Sequence, residues 1–412
     1  DDIVENEHKE NFMTVPAAIK ELEKIEMIRQ LDGKYRLDHA VTATQKKILR
    51  TFGMDVKAIL KELTEAGGVS GYEHNASAVL ASHFKKYCDN VTVDKMGNVI
   101  GFKKGYGSDS NSNKKILVTA HYDEIGLLVK SIDENGFIRF TRIGGIDPKI
   151  LLAGEIVIHG KKDLPGVIGA KPPHLLSQEE RKKTMKLQDL YIDTGMNFDE
   201  VSQYVTIGDY ITFKSASLEL KSGYYATKAL DNRCSFASML VALEELEHIK
   251  YEYDMYFAAT VQEEVHLTGA ITASYNIEPD IAIVVDVCHG DMPDIPKESS
   301  SICGKGPAIA IGPILDKKLT NKIINKAKNE NINYQIGIEP GGTGTEAFAT
   351  QVSRCGIPTV LLSIPLRYMH TPVETLNTSD IFSTGRLIAR FSASLCNEDF
   401  KQKEVPLWTC RY

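Results

Sequence analysis

The chain has 412 residues, 42% hydrophobic and 25% charged, with a net charge of −7. A globular soluble protein of two or three domains is expected from that length and composition. The acidic balance argues against a general nucleic-acid binder, which needs clustered Lys and Arg for phosphate contacts. No apolar run approaches the roughly 18–20 residues needed to span a bilayer, and no secretory leader pattern opens the chain. Seven Cys are scattered with no C-x-x-C pair, as expected of free thiols in a reducing cytoplasm rather than of a disulfide framework. The first residue is Asp1 rather than Met, as expected of a processed chain or a piece of a longer one.

Residues 1–14 are polar and acidic, and weak order is expected there. From Pro16 to Arg29, Ile19, Leu22, Ile25 and Ile28 recur at helical spacing, which predicts an amphipathic helix. Asp32-Gly33 then marks a tight turn before a short strand-like Lys34 to Leu37. Helix, turn and strand resemble the recognition helix and wing of a winged helix-turn-helix domain, but the helices that should precede them are missing. Residues 1–53 carry nine Lys and Arg against ten Asp and Glu, which suits DNA poorly. An appended docking or oligomerisation arm is the expectation.

A new pattern begins at Met54. Val56, Ile59, Leu60 and Leu63 form a helix face ended by Gly67-Gly68. A helix over about Ala76 to Tyr87 precedes the β-like segments Val91 to Val93 and Val99 to Phe102. Residues 105–114 read as an exposed loop, and Ile116 to Ala120 as a buried central strand. From about Gly126 to Ser222, short strand-like pieces alternate with glycine-rich turns, which predicts a small β-barrel or sandwich. A charged helical stretch near Gln178 to Lys186 interrupts it. After Leu230 the α/β rhythm returns, with helices at Ser235 to Leu246, Leu319 to Asn329 and Ser379 to Leu395. Strands are expected at Met255 to Ala259, Ile281 to Val285 and Thr359 to Ser363. The predicted organisation is an N-terminal extension (1–53), an α/β domain (54–125 and 223–396), an inserted β domain (126–222) and a C-terminal tail (397–412).

Chemistry-bearing residues gather at the ends of these strands. Glu263-Glu264 follows the strand over Met255 to Ala259. Two adjacent carboxylates near a core are costly unless something compensates them, and a divalent metal is the strongest compensator; the plain alternative is a solvated loop start. His121 and Asp123 follow the strand ending at Ala120. Their i, i+2 spacing lets His121 bind a metal while Asp123 holds its other ring nitrogen. Asp231 stands at a helix start, where capping is the alternative. Asp286 ends the strand over Ile281 to Val285, and His370 follows the strand over Thr359 to Ser363; a turn residue and a loop histidine are their alternatives. Together, two His, two Asp and two Glu lie where α/β folds place their sites. Such a set suits two divalent ions with one carboxylate shared.

The sequence resembles the M42 metallo-aminopeptidases over about residues 54–396. The resemblance rests on Gly68-Val69-Ser70-Gly71-Tyr72-Glu73, Ala120-His121-Tyr122-Asp123-Glu124-Ile125-Gly126, Ile143-Gly144-Gly145-Ile146-Asp147, Lys171-Pro172-Pro173-His174, Ala229-Leu230-Asp231-Asn232-Arg233, Gln262-Glu263-Glu264-Val265 and Arg367-Tyr368-Met369-His370-Thr371-Pro372, in that order. It implies a mixed-sheet α/β/α zinc-peptidase core, with the inserted β-barrel as a dimerisation domain and a helical, wing-like N-terminal extension. It implies an aminopeptidase acting on short peptides with two divalent metal ions per subunit, most readily zinc, with cobalt or manganese as substitutes. Asp231 would bridge the two metals, with His121 and Asp286 completing one site and Glu264 and His370 the other. Asp123 would orient His121, and Glu263 would be the general base. A homo-oligomer, dimers built into a dodecamer, is implied as well, in the cytoplasm, without membrane or nucleic-acid partners.

Three departures from the family pattern stand out. His266 and Thr268 replace the Gly and Arg usual after Glu-Glu-Val; Cys288 and His289 follow Asp286 and could be spare ligands or structural; Glu346 stands where Asp is common. None removes an expected ligand, so activity is expected. His174 receives no role. Two rival readings are a related deacylase or glucanase, and a regulatory module that binds through its N-terminal arm. Glycosidases need two carboxylates across a sugar and no histidine-rich metal site, which argues against the first; an intact ligand set counts against the second.

Overall fold

The computed structural model describes residues 54–107, 114–182 and 184–400. The arm expected within residues 1–53, most of the 105–114 loop and the tail beyond residue 400 lie outside the described residues. Helix α1 (Val56–Glu65) buries Val56, Leu60 and Leu63 on one face, an i, i+4, i+7 stripe that ends before Gly67-Gly68. Helix α2 (His74–Phe84) buries Ala76, Leu80 and Phe84 in the same way. Strands β1 (Asn90–Val93) and β2 (Val99–Lys103) pair antiparallel. Strand β3 (Lys115–His121) buries every residue after Lys115, as its unbroken apolar run predicts.

The next six strands are β4 (Gly126–Ile132), β5 (Ile138–Ile143), β6 (Glu155–His159), β7 (Asp163–Ala170), β8 (Leu190–Asp193) and β9 (Tyr210–Phe213), and they close a barrel in the order β4-β5-β8-β7-β6-β9. Alternation drives it: in β7, Leu164, Gly166 and Ile168 face in while Asp163, Pro165 and Val167 face out. Leu127, Val129, Ile138, Ile156, Ile158 and Ile192 fill the barrel with a core of its own. The charged stretch expected to be helical from Gln178 to Lys186 forms a single turn, Gln178–Arg181. It carries no apolar stripe to bury, and so short a helix does not hold without one.

Strands β10 (Leu218–Glu219) and β11 (Tyr224–Thr227) lead to α3 (Leu230–Leu246), β12 (Asp254–Thr260), α4 (Thr268–Ile277), β13 (Ile281–His289) and β14 (Ala308–Ile311). Then come α5 (Lys317–Asn329), β15 (Gln335–Ile338), α6 (Glu346–Gln351), β16 (Thr359–Leu366), β17 (Glu374–Asn377) and α7 (Thr378–Ala393). The main sheet runs β1-β2-β12-β3-β13-β16-β14-β15, and β10-β11-β17 make a small second sheet. Its centre, β12, β3, β13 and β16, is parallel. Helices cover such a centre on both faces, which is why those strands read as continuous apolar runs. Thr260 lies opposite His121 across β12 and β3, so the carboxyl ends of both strands open at one level. No helix among the described residues is long and apolar enough to cross a membrane.

A buried charge network fastens the loop after β3 to the start of α3. Glu124 accepts from Lys228 Nζ at 2.5 Å, Arg233 Nη2 at 3.3 Å and the Gly68 N–H at 3.1 Å. Arg233 also donates to the carbonyls of Leu63, Ala66 and Tyr122. Gly68 makes room for this: a Cβ there would sit 2.9 Å from Arg233 Nη2. Burial favours the neutral carboxyl, but Lys228 and Arg233 prevail and hold Glu124 below the usual carboxylate range. Glu124→Gln would leave two buried cations without their anion, and is expected to cost roughly 3–5 kcal/mol. A fall in the urea midpoint of the metal-free protein measures it; an unchanged midpoint would mean the network carries no net stability.

Candidate active site

Five chain segments deliver the candidate residues to one cleft of about 860 Å³. His121 is the last residue of β3 and fully buried. Its Nε2 lies 3.2 Å from Asp231 Oδ1 and 3.8 Å from Glu263 Oε2. Its Nδ1 faces Asp123, 3.4 Å from Oδ1 and 3.2 Å from the carbonyl oxygen. Asp123 does more than orient a ring: it accepts the Ser70 hydroxyl at 2.6 Å and the N–H groups of Glu263 at 3.0 Å and Glu264 at 3.2 Å. One buried carboxylate thus ties His121 to the backbone of the Glu pair.

Asp231 is not a helix cap. Its own backbone is non-helical inside the first turn of α3, and its carboxylate faces His121 and His370 instead, with Oδ2 at 3.4 Å from His370 Nε2. Glu264 Oε1 is 3.1 Å from the same nitrogen, and His370 Nδ1 donates to the Gly145 carbonyl at 2.8 Å. That contact leaves Nε2 to face the Asp231 and Glu264 carboxylates. Asp286 lies within β13 rather than at its end, because the strand continues to His289 and pairs Asp286 with Ser363 of β16. Gln262, Leu267, Tyr368 and His370 all adopt left-handed backbone conformations. Non-glycine residues rarely sit there, and such strain concentrates at functional sites.

The donor set has the chemistry of a cation site. Two groups of ligand atoms within 4.8 Å share one residue: His121, Asp231 and Asp286, and Asp231, Glu264 and His370. A third group joins His121, Glu263 and Glu264. No Lys or Arg lines the cleft among the described residues. Burial therefore drives Glu263 up to about 9, with Asp286 and Glu264 adding to it, and lifts Asp286 well above its usual value. His370 answers in the opposite sense: burial disfavours its charge, but Asp231 and Glu264 raise it to about 11. Four carboxylates facing two histidines with no fixed cation make an arrangement that divalent ions would satisfy.

Glu374, at the start of β17, was not legible in the sequence. It is fully buried and accepts the Asp231 N–H at 3.0 Å and the His370 N–H at 2.8 Å. It thereby sets the backbones of two candidate ligands 139 positions apart in sequence. An isolated acid after a Thr-Pro-Val run carries no signal of that. Ser70 and Arg233 lie inside recognisable motifs, and Lys228 directly precedes one, but all three gain their roles only from contacts across the fold. Glu374→Gln replaces one acceptor by a donor, and metal affinity is expected to fall about 10–100-fold, read by titration with a chelating indicator. Affinity equal to wild type would reduce Glu374 to packing.

The departures fall outside the three ligand groups. His266 is exposed and lines the cleft rim, and Thr268 donates to Gln262 Oε1 at 2.8 Å. Cys288 points its thiol at the Ser363 carbonyl, and His289 is exposed at the strand end. Glu346 is fully buried and bonded to the hydroxyls of Thr119 and Thr260, bracing β3 to β12 just below His121.

Comparison with solved structures puts the fold in the aminopeptidase class. An aminopeptidase from the archaeon Desulfurococcus kamchatkensis superposes with a TM-score of 0.78 at 35% identity, covering 84% of this chain and 96% of its own. The TET1 peptidase of Pyrococcus horikoshii, described as assembling into a tetrahedron or a large octahedral shell, gives a TM-score of 0.71 at 33% identity, over 83% of this chain and 100% of that one. Lysyl aminopeptidase of Pyrococcus furiosus is 35% identical over 347 residues, 83% of this chain and 98% of the relative. Residues 97–387 match M42 glutamyl aminopeptidase, and the chain belongs to that peptidase family.

Proposed function

We propose that the protein is a metal-dependent aminopeptidase that releases N-terminal residues from short peptides. The observation that carries this reading is the pair of ligand groups sharing Asp231. His121, Asp231 and Asp286 would hold one divalent ion, and Asp231, Glu264 and His370 a second. Zinc suits this mixture of nitrogen and oxygen donors, with cobalt or manganese as substitutes. Such ions, when bound, supply Lewis acidity toward the scissile carbonyl and acidify the attacking water. Glu263 is the general base: it takes the proton of the attacking water and hands it to the leaving amine. Asp123 orients His121 and fixes the Glu263 backbone, so the base is held in place by the group that aligns a ligand. A homo-oligomer is the proposed assembly, with the barrel as the dimerising element, supported by the likeness to a peptidase that forms closed shells. The six described cysteines are free, which supports a reducing compartment, the cytoplasm.

The test is hydrolysis of aminoacyl-anilides and N-blocked peptides before chelation, after it, and after restoring zinc, cobalt or manganese. Turnover of free-amino substrates is expected to vanish on chelation and to return with metal, while blocked peptides stay intact. Chelator-insensitive turnover, or none on any free-amino substrate, would sink the proposal.

A further inference from the structure

The cleft extends beyond the carboxylate–histidine cluster along one face of the main sheet, and the proposed chemistry leaves that part unused. Strand register defines the extension. Asp286 pairs with Ser363, which pairs on its other side with Ala308. One strand further out, Ala310 pairs with Gly337. Alternate residues of a strand share a face, so Ser363, Ala308, Ala310 and Gly337 lie on the face that carries Asp286. Glu339, two residues past Gly337, follows on the same side, and all of these residues line the cleft. Small side chains thus make up most of the floor, with Leu361 beside them, and a carboxylate stands beyond it. Burial raises the Glu339 carboxyl above its usual range, with His289 offsetting part of that, and no Lys or Arg lines the cleft among the described residues.

Resting on the aminopeptidase reading, we propose that this slot receives the side chain of the substrate's first residue and selects a long cationic one, lysine or arginine. Its methylenes run over the Ser363, Ala308, Ala310 and Gly337 floor, and its charge meets Glu339. An acidic first residue would bring a further carboxylate into a cleft where no described Lys or Arg receives it, which rejects it by like-charge repulsion. A branched apolar side chain would fit the floor and leave Glu339 desolvated without a partner.

The experiment compares kcat/KM for Lys-, Arg-, Leu- and Glu-p-nitroanilide on the metal-loaded full chain, on Glu339→Gln and on Glu339→Lys. Lys and Arg are expected to exceed Leu by about tenfold, as suits an ion pair at a half-buried position, with Glu slowest. Glu339→Gln should lower the Lys-to-Leu ratio about tenfold, mainly through KM, and Glu339→Lys should turn the preference toward Glu. Thermal melting of each variant against wild type checks that it folds. A wild type that prefers Leu or Glu, or a folded Glu339→Gln with an unchanged Lys-to-Leu ratio, overturns the slot assignment and leaves the aminopeptidase reading standing. Hydrolysis of none of the four substrates overturns that reading, and the slot with it. Competitive inhibition of the wild type by free L-lysine and L-glutamate gives a second measure without any variant. Equal inhibition constants, or tighter glutamate, also overturn the proposal.

Discussion

Glu263→Gln is expected to keep its metal while kcat falls about 10²–10⁴-fold. The substitution preserves shape and the backbone N–H that Asp123 accepts at 3.0 Å, so the turn after β12 should keep its geometry. What it removes is the capacity to take a proton and pass it on. In the protein alone, burial and neighbouring carboxylates drive the Glu263 carboxyl up to about 9. Cations beside it favour the ionised form and bring that value down, toward the neutral range where a base is most effective. Both requirements of a general base, an elevated intrinsic basicity and a location against the cluster 3.8 Å from His121 Nε2, are therefore met at one residue. Metal analysis together with steady-state kinetics decides the matter. Metal loss in the variant would make Glu263 a ligand instead, and an unchanged kcat would move the base elsewhere.

Asp231→Asn is expected to lose both ions. Its two carboxylate oxygens divide between the two histidines, Oδ1 at 3.2 Å from His121 Nε2 and Oδ2 at 3.4 Å from His370 Nε2. Burial would push this carboxyl up, yet the hydrogen bonds from His121 and His370 hold it well below the ordinary range, so the charged form is the one the site is built around. Asparagine offers a single oxygen and turns an N–H₂ toward one histidine. Partners that only support a ligand cost about 10–100-fold in affinity when removed, so loss of a shared ligand should exceed about 100-fold for both ions, with activity falling alongside. Full-strength retention of one ion would show that the two groups do not share Asp231.

The candidate site was legible to the extent that it coincides with the ends of apolar runs. His121 and Glu263-Glu264 each follow a strand whose burial is written in consecutive β-branched and aromatic residues. Asp286 was found for the same reason, although its strand runs three residues further, to His289, because the pairing with β16 supports more length than the apolar run announces. Short elements were missed. Four-residue strands such as β14 and β15 are too brief to show a period, and the helix expected near Gln178 to Lys186 fails because charge alone does not stabilise a helix. Glu374 was missed because an acid facing two backbone N–H groups looks, in sequence, like any loop acid.

By itself the sequence determined the α/β rhythm, the interrupting β segment and the identities of the candidate ligands, since these follow from local periodicity and from side-chain chemistry. Only the tertiary structure decided that Asp231 stands between two histidines, that Glu374 fixes their backbones, and that a floor of mostly small residues leads to Glu339. The reason is physical. Periodicity reports which face of an element is buried, whereas a site depends on distances between elements, and strand register sets those by pairing residues that lie dozens of positions apart.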